Sequence, residues 1–176
     1  SMLIDAIVRG SLGAPMRIVW ANGNERGNGR CGTTYHTTAP PACAKNHITV
    51  GALNSNNDSM TSFSSWGPTD DGRLKPDVSA PGCQSNGDFG VMSTVIDTPY
   101  GTKCGTSMAA PTVTGIGALI LQEWMTLYPG EPLPRNSMLK VLLAHNAHDL
   151  GNTGPDYQYG YGSVRAQATI DFLRGG

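Results

Sequence analysis

Apolar residues along the chain follow two patterns, one with helical spacing and one in short continuous runs. Helical spacing predicts helices over residues 2–9, from near Ser107 to about Tyr128, and over residues 135–145 and 166–173. A continuous apolar run predicts a strand over residues 16–21, covered on both faces. Helices combined with such a buried strand are typical of an α/β domain.

A smaller structure is expected directly before the long helix. Residues 89–95 predict a strand and residues 98–104 predict its returning arm, so this stretch is interpreted as a hairpin. The 23 glycines and 12 prolines make up a fifth of the chain, which indicates many tightly turned loops between the elements.

Length and charge limit the classes of function. The 176 residues fit one domain that can bury a core, and a net charge of −1 without any run of Lys or Arg argues against nucleic acid as the main partner. No apolar stretch approaches the length of a membrane span, and no signal peptide is visible. Neither a nucleic-acid partner nor a membrane partner is therefore expected.

The four cysteines, Cys31, Cys43, Cys83 and Cys104, lack the Cys-x-x-Cys spacing of a zinc site. An even number of cysteines in a glycine-rich chain of low charge favours disulfides and a secreted protein. Three pairings are possible. Cys31–Cys43 together with Cys83–Cys104 is preferred because each bridge closes a local loop, and four free thiols in a cytosolic protein are the alternative.

The candidate nucleophile is Ser107, which the apolar pattern places at or near the first turn of the long helix. A hydroxyl there faces unpaired backbone N–H groups and the positive end of the helix dipole. That environment favours negative charge close to the oxygen and therefore suits a nucleophile. A serine that only caps the helix is the alternative explanation.

The residues around Ser107 form a long and specific motif. Gly105-Thr106-Ser107-Met108-Ala109-Ala110-Pro111 resembles the catalytic-serine motif of the subtilisin family, the subtilases. The stretches at residues 61–68 and 70–82 resemble two further signatures of this family. The resemblance implies a three-layer, subtilisin-like α/β fold with a parallel sheet flanked by helices, in which residues 16–21, 47–53 and 77–80 are parallel strands. It covers nearly all of the chain but only the C-terminal part of the family's catalytic domain, so a truncated fold over residues 1–176 is expected.

A second motif follows the first predicted strand. Residues 21–25 resemble the subtilase segment whose asparagine helps to bind the oxyanion, and by position Asn24 matches that residue whereas Asn22 does not. An amide N–H beside the serine stabilises a tetrahedral intermediate without changing its own charge. The resemblance also assigns substrate binding to the specificity pocket, through Gly23, Ala39, Pro40 and Pro41. A simple turn is the alternative for the Asn-Gly-Asn sequence.

A serine nucleophile needs a base, and the base needs an orienting acid. In the subtilase order the Asp and His motifs precede the serine, and nothing upstream of Ser107 matches either of them. His36 and His47 lack the family's sequence context, and His47, at the head of a predicted strand, is interpreted as structural. We therefore expect the isolated chain to be inactive unless the missing N-terminal half is supplied.

The sequence thus predicts the serine-bearing half of a secreted, subtilisin-like serine endopeptidase that acts by acyl-enzyme chemistry. A non-catalytic fragment or pseudoenzyme that serves as a binding or assembly module is the alternative. The α/β-hydrolase and sedolisin patterns fit less well, because residue 109 is Ala and residue 24 is Asn. No cofactor is required for the chemistry.

The expected partners follow from this interpretation. They are a protein or peptide substrate, the missing N-terminal half of the catalytic domain, and a second copy of the chain that pairs through the exposed edge of the strand at residues 16–21. Coverage of that edge by rearranged segments of the same chain is the alternative to self-association. Structural calcium is possible, with Asp70 and Asp71 as the candidate ligands, although a solvated turn is the preferred interpretation of these two residues.

Overall fold

The computed structural model describes residues 1–27, 34–84, 90–97 and 99–175. Its elements, in chain order, are α1 (Met2–Arg9), β1 (Val19–Ala21), β2 (Ile48–Asn54), β3 (Val78–Cys83), β4 (Val91–Ser93), β5 (Gly101–Lys103), α2 (Thr106–Leu127), α3 (Asn136–His145) and α4 (Ala166–Leu173). Every helix and strand predicted from the sequence is found. Within the described ranges, no helix is both long enough and apolar enough to cross a membrane.

Strands β1, β2 and β3 form a parallel sheet in that order, with Val19 opposite Ile48 and Val50 opposite Val78. Because the strands are parallel, their carboxyl ends meet at the same end of the sheet. The predicted α/β class, with a parallel sheet flanked by helices, is confirmed.

The core lies between one face of this sheet and helices α2 and α3. Side chains alternate between the two faces of a strand, so every second residue of β2 and β3 faces the helices. The main core residues are Ile48, Val50, Ala52, Val78, Ala80, Ala109, Val113, Ile120, Leu139, Leu142 and Leu143. Burial of Ala109 and Val113 against β2 and β3 holds the beginning of α2 over the carboxyl ends of the strands.

Strand β1 is shorter and less buried than the sequence predicts. It begins at Val19 because the Ile18 N–H donates to Asn136 Oδ1 (3.1 Å), a side chain of α3, instead of joining a strand ladder. Next to it, Arg17 Nε donates to the Pro134 carbonyl (2.7 Å). All three residues of β1 are half-buried, so the prediction of a strand covered on both faces was wrong.

Strands β4 and β5 pair in antiparallel fashion, with Met92 opposite Thr102, and confirm the predicted hairpin. Its predicted outer residues Phe89 and Thr98 lie outside the described residues. The predicted Cys83–Cys104 disulfide is present, with the two Cα atoms 4.5 Å apart. For the other predicted bridge, Cys43 is a free thiol and Cys31 lies outside the described residues.

Candidate active site

The candidate site lies where β1, β3 and α2 meet at the carboxyl end of the sheet. The Gly105 N–H donates to the Gly82 carbonyl (2.9 Å), which places the residue before α2 directly against β3. A Cβ on Gly82 would lie 2.7 Å from the Gly105 carbonyl oxygen and 2.8 Å from Ala52 Cβ, so this approach requires glycine at position 82. The carboxyl end of the strands is also where open α/β sheets commonly bind ligands.

Ser107 is the second residue of α2 and its side chain is exposed, in agreement with the predicted first-turn position. The Met108 N–H is bonded to the Gly105 carbonyl (2.9 Å). In the described part of the chain, neither the N–H nor the hydroxyl of Ser107 has a hydrogen-bond partner. A free N–H at the positive end of a helix dipole can therefore stabilise negative charge beside this hydroxyl.

Asn24 lies in the loop after β1 and is bound to the residue that precedes Ser107. Its Oδ1 accepts hydrogen bonds from the Thr106 N–H (3.0 Å) and from Thr106 Oγ1 (2.9 Å). Because Oδ1 is engaged in this way, the Nδ2 group is left as a donor, and it lies beside Gly105, 3.4 Å from the position that a Cβ on Gly105 would take. The structure thus brings Asn24 and the first turn of α2 together across 82 residues of sequence.

Asn22, by contrast, is a buried residue that holds the loop together. Its Nδ2 donates to the Ser65 carbonyl, and its Oδ1 accepts a hydrogen bond from Thr38 Oγ1 (2.9 Å). Its backbone N–H continues the sheet by donating to the Val50 carbonyl (3.0 Å). With both ends of its side chain engaged away from α2, Asn22 has no donor for an oxyanion at Ser107.

The four residues predicted to bind substrate, Gly23, Ala39, Pro40 and Pro41, line one cavity of about 200 Å³. Gly23 turns the loop at a φ of 112°, and a Cβ at this position would lie 2.9 Å from Ser65 Oγ, so glycine is required there. The Gly23 N–H donates to Thr106 Oγ1 (3.2 Å), which places the cavity beside the start of α2.

Thr106 is a residue of the site for which the sequence analysis gave no role. Its hydroxyl donates to Asn24 Oδ1 and accepts the Gly23 N–H, so a single side chain connects the loop after β1 to α2. The available signal was its place in the motif, since a hydroxyl residue directly before a candidate nucleophile is close enough to hold the neighbouring donor.

A buried ionic cluster lies at the opposite end of the sheet, where β2 and β3 begin. Asp77 accepts hydrogen bonds from the Thr49 N–H (2.7 Å) and from Lys75 Nζ (2.8 Å), and it forms a second ion pair with Lys140 Nζ of α3 (2.8 Å). Burial lowers the pKa of Lys75 to about 8, against the opposing attraction of Asp77. The cluster connects two strands and a helix. Lys75 and Asp77, which belong to the family signature at residues 70–82, therefore have a structural role at a distance from Ser107.

The histidines of the chain lie away from the candidate nucleophile. The N–H of His36 donates to the Gly67 carbonyl, His145 packs on the ring of Phe172, and the backbone of His148 pairs with Ser163. His47 is fully buried at the head of β2, where its Nδ1 has no hydrogen-bond partner. Burial, and next the charge of Lys75, lower the pKa of His47 to about 4.

Acid is expected to destabilise the fold through His47. In the unfolded chain His47 binds a proton below its ordinary pKa of 6.5, whereas in the folded chain it does so only below about pH 4. The free energy of unfolding therefore falls as the pH drops from 6.5 to 4, by about 3 kcal/mol in all. Asp77 and Asp5 partly oppose this effect, whereas Lys75 and Lys140 strengthen it. Urea unfolding from pH 7 to pH 4 should show a shallower pH slope for His47→Gln. If His47→Gln left the pH slope unchanged, His47 would not be the source of the acid sensitivity. His148→Gln serves as the control, because His148 is exposed and its replacement should leave the slope as it is.

The two candidate calcium ligands lie in an exposed turn. Asp71 accepts hydrogen bonds from Arg73 Nε (2.9 Å) and Thr69 Oγ1 (2.6 Å), which lower its pKa to about 2, and Asp70 is exposed. Among the described residues, no group of three or more His, Cys, Asp or Glu side chains is placed to hold a metal ion. Structural calcium stays a prediction.

Comparison with known protein sequences finds one family. Residues 2–162 match the model of the subtilase family. The chain is 37% identical over 156 residues to the serine protease AprX of Bacillus subtilis (strain 168), a match that covers 81% of the chain and 34% of AprX. It is 33% identical over 168 residues to subtilisin amylosacchariticus of Bacillus subtilis subsp. amylosacchariticus, covering 96% of the chain and 37% of that protein. The chain therefore spans little more than a third of the length of these relatives.

Comparison with solved structures leads to the same fold. The CspB protease of Clostridium perfringens superposes with a TM-score of 0.70 and 34% sequence identity, over 82% of this chain and 30% of that one. A lanthipeptide protease superposes with a TM-score of 0.68 over 88% of this chain and 50% of that one, at 24% identity, which bears on the fold alone. The predicted subtilisin-like fold is confirmed.

Proposed function

The chain belongs to the subtilase family, and from this premise we propose that it is the serine-bearing part of a subtilisin-like endopeptidase, with Ser107 as nucleophile and Asn24 as oxyanion donor. Subtilases are serine endopeptidases, so the family itself is enzymatic. The roles of individual residues are what the proposal adds.

The proposed reaction proceeds through an acyl-enzyme. Ser107 Oγ attacks the carbonyl carbon of the peptide bond, and a histidine takes the hydroxyl proton and then passes it to the departing amine. The oxyanion of the tetrahedral intermediate accepts hydrogen bonds from Asn24 Nδ2 and from the Ser107 N–H. Water then attacks the ester carbonyl while the histidine takes a proton from it, and the histidine returns this proton to Ser107 Oγ as the ester bond breaks.

The observation that carries the proposal is the contact between Asn24 and Thr106. Two hydrogen bonds to Oδ1 fix the carboxamide so that its other end is free to donate, beside the exposed Ser107 and its free N–H. Donors that are held in place before the reaction stabilise developing charge without any reorganisation cost. A serine that only caps a helix would not need a second donor fixed in this way.

The general base and its orienting acid are proposed to lie in a part of the protein outside these 176 residues. Ser107 Oγ has no hydrogen-bond partner in the ranges that the structure describes, and His47 is fully buried at the head of β2, at the end of the sheet opposite to Ser107. We expect the chain alone to have little peptidase activity, with the N-terminal half of the catalytic domain as its partner.

The substrate is proposed to be a protein or peptide, and the compartment extracellular. The cavity at Gly23 and Ala39 is open beside α2 and can receive a substrate side chain next to the bond under attack. The Cys83–Cys104 disulfide supports an oxidising, secreted location. No cofactor enters the proposed chemistry.

Active-site labelling tests the proposal. A fluorophosphonate should label Ser107 slowly or not at all in the isolated chain, and rapidly once an N-terminal subtilase half that carries the Asp and His motifs is added. Ser137 is a matched internal control, because it is the exposed second residue of α3 just as Ser107 is of α2. Mass spectrometry after proteolysis locates the label.

The alternative, a non-catalytic binding or assembly module, predicts a different result. In that case Ser107 is labelled neither in the isolated chain nor in the mixture, although the two halves still associate in a sedimentation experiment. Labelling of Ser107 and Ser137 to the same low extent would likewise mean that the position of Ser107 confers no special reactivity.

Self-association through β1 is a further expectation. The Ile18 carbonyl and the Asn22 N–H form hydrogen bonds with β2. Because backbone groups alternate in direction along a strand, those of Val19 and Ala21 point to the open side of this edge strand. The isolated chain should therefore form dimers or larger species in sedimentation velocity runs as its concentration rises. Val19→Pro, which removes an outward N–H, should reduce association, while Val19→Ala keeps that N–H and should not. Purely monomeric behaviour of the unmodified chain at high concentration would disprove the expectation.

A further inference from the structure

The Cys83–Cys104 disulfide lies at the base of the candidate nucleophile segment. Cys83 is the last residue of β3, and Cys104 stands three residues before Ser107. The residues next to the cysteines are joined as well, since the N–H of Gly105, which follows Cys104, donates to the carbonyl of Gly82, which precedes Cys83 (2.9 Å). A covalent link and a hydrogen bond therefore join the same two segments side by side.

The position of Gly105 determines how α2 begins. Its carbonyl accepts the Met108 N–H (2.9 Å), so a shift of Gly105 moves the first turn of the helix. The contact between Gly82 and Gly105 is already as close as two backbones allow, since no Cβ fits on Gly82. Ser107 and the Thr106 anchor of Asn24 both lie in this turn and would move with it.

The described strands of the hairpin between the two cysteines are short and exposed. Its strands have three residues each, and Met92, Ile96 and Tyr100 are largely exposed. An exposed hairpin of this size is only marginally stable without a tether. The disulfide, which spans 21 positions, adds a covalent connection between the end of β3 and the residues that lead into α2.

We propose that the Cys83–Cys104 disulfide is a positioning element for Ser107, and that its reduction by a dithiol reversibly lowers the reactivity of the serine. The proposal rests on the function proposed for Ser107. In the reduction, a dithiol thiolate attacks one sulfur and releases the other cysteine as a thiolate, and the second thiol of the reagent then closes its own disulfide and frees the first cysteine. Two electrons and two protons pass from the dithiol to Cys83 and Cys104.

The test uses the parent protein with its complete catalytic domain, before and after treatment with dithiothreitol. Reduction should slow fluorophosphonate labelling of Ser107 by about 10- to 100-fold, because misplacement of a reacting group by about 1 Å costs on the order of 10²-fold. In peptide hydrolysis kcat should fall by the same factor and KM should change less, since Ala39, Pro40 and Pro41 of the cavity lie outside the displaced turn and only Gly23 is bonded to Thr106. Reoxidation of the disulfide should restore both the labelling rate and kcat.

Two variants and a second readout complete the design. The double variant Cys83→Ser/Cys104→Ser should be slow from the start and insensitive to dithiol, whereas Cys43→Ser should respond like the unmodified protein. Amide hydrogen exchange at Gly105 and Thr106 should accelerate on reduction, while exchange in β2 stays unchanged.

The proposal is overturned if labelling is unchanged although both cysteines have become alkylatable. It is also overturned if exchange in β2 accelerates together with that of Gly105, because the disulfide would then act only on global stability. If the untreated protein is not labelled at all, the function proposed for Ser107 fails. The exchange data on Gly105 and Thr106 then still decide whether the disulfide positions this turn.

Discussion

Replacing Ser107 with alanine is expected to lower peptide hydrolysis by the complete catalytic domain on the order of 10⁶-fold, a magnitude known for the nucleophile of subtilisin itself. The loss is large because no acyl-enzyme can form, and only oxyanion binding and substrate positioning then remain above the uncatalysed rate. The fold should tolerate the change, since the Ser107 side chain is exposed and makes no hydrogen bond in the described part of the chain. Progress curves with a chromogenic peptide measure the loss.

The matched control for this prediction is Ser137→Ala. Ser137 occupies the same exposed second position in α3, so its replacement tests whether a helix-terminal serine affects activity in general. It should change kcat/KM by less than about twofold. Activity that survives Ser107→Ala at more than a small fraction of the original would exclude Ser107 as the nucleophile.

Replacing Asn24 with alanine is expected to lower kcat by about 10²- to 10³-fold with little change in KM, the range known for the corresponding asparagine of subtilisin. The donor acts on charge that develops in the transition state, so its loss appears in kcat more than in substrate binding. Steady-state kinetics of the complete catalytic domain provide the measurement.

The geometry of Asn24 allows its two ends to be tested separately. Asn24→Asp keeps an oxygen for the Thr106 N–H and hydroxyl but has no Nδ2 donor, so it should be as impaired as Asn24→Ala or more so. Thr106→Val removes the hydroxyl anchor and leaves the donor in place, so a smaller loss is expected. If Asn24→Asp retained full activity, the anchoring of Thr106 would be the role of Asn24, and the oxyanion assignment would be wrong.

Much of the fold could be predicted from the sequence because it depends on local periodicity. The helical spacing of apolar residues located α1, α2, α3 and α4, and the family motifs located β2 and β3. The exception is β1, where the apolar run from Met16 predicted a longer and more buried strand. A side chain of α3, Asn136, takes the Ile18 N–H, and such a contact over 118 residues leaves no trace in local sequence.

The candidate site was predictable in part. The motifs predicted that Asn24 lies close to the turn that carries Ser107, which the structure shows, and the four predicted pocket residues do line one cavity. What the motifs did not indicate is the role of Thr106 as the connection between Gly23, Asn24 and α2. Its hydroxyl acquires a partner only when the loop after β1 folds against the helix.

The sequence by itself determined the family, the elements and the position of Ser107 in the first turn of a buried helix, because motifs and periodicity are properties of neighbouring residues. Only the tertiary structure decided that Asn24 presents a free amide donor, whereas the Asn22 side chain is hydrogen-bonded within the loop. It also decided that Gly82 and the Cys83–Cys104 disulfide hold the start of α2 against β3. The physical reason is that hydrogen bonds and close packing join residues far apart in the chain. The partners of a polar group are known only once the folded backbone has brought them within reach.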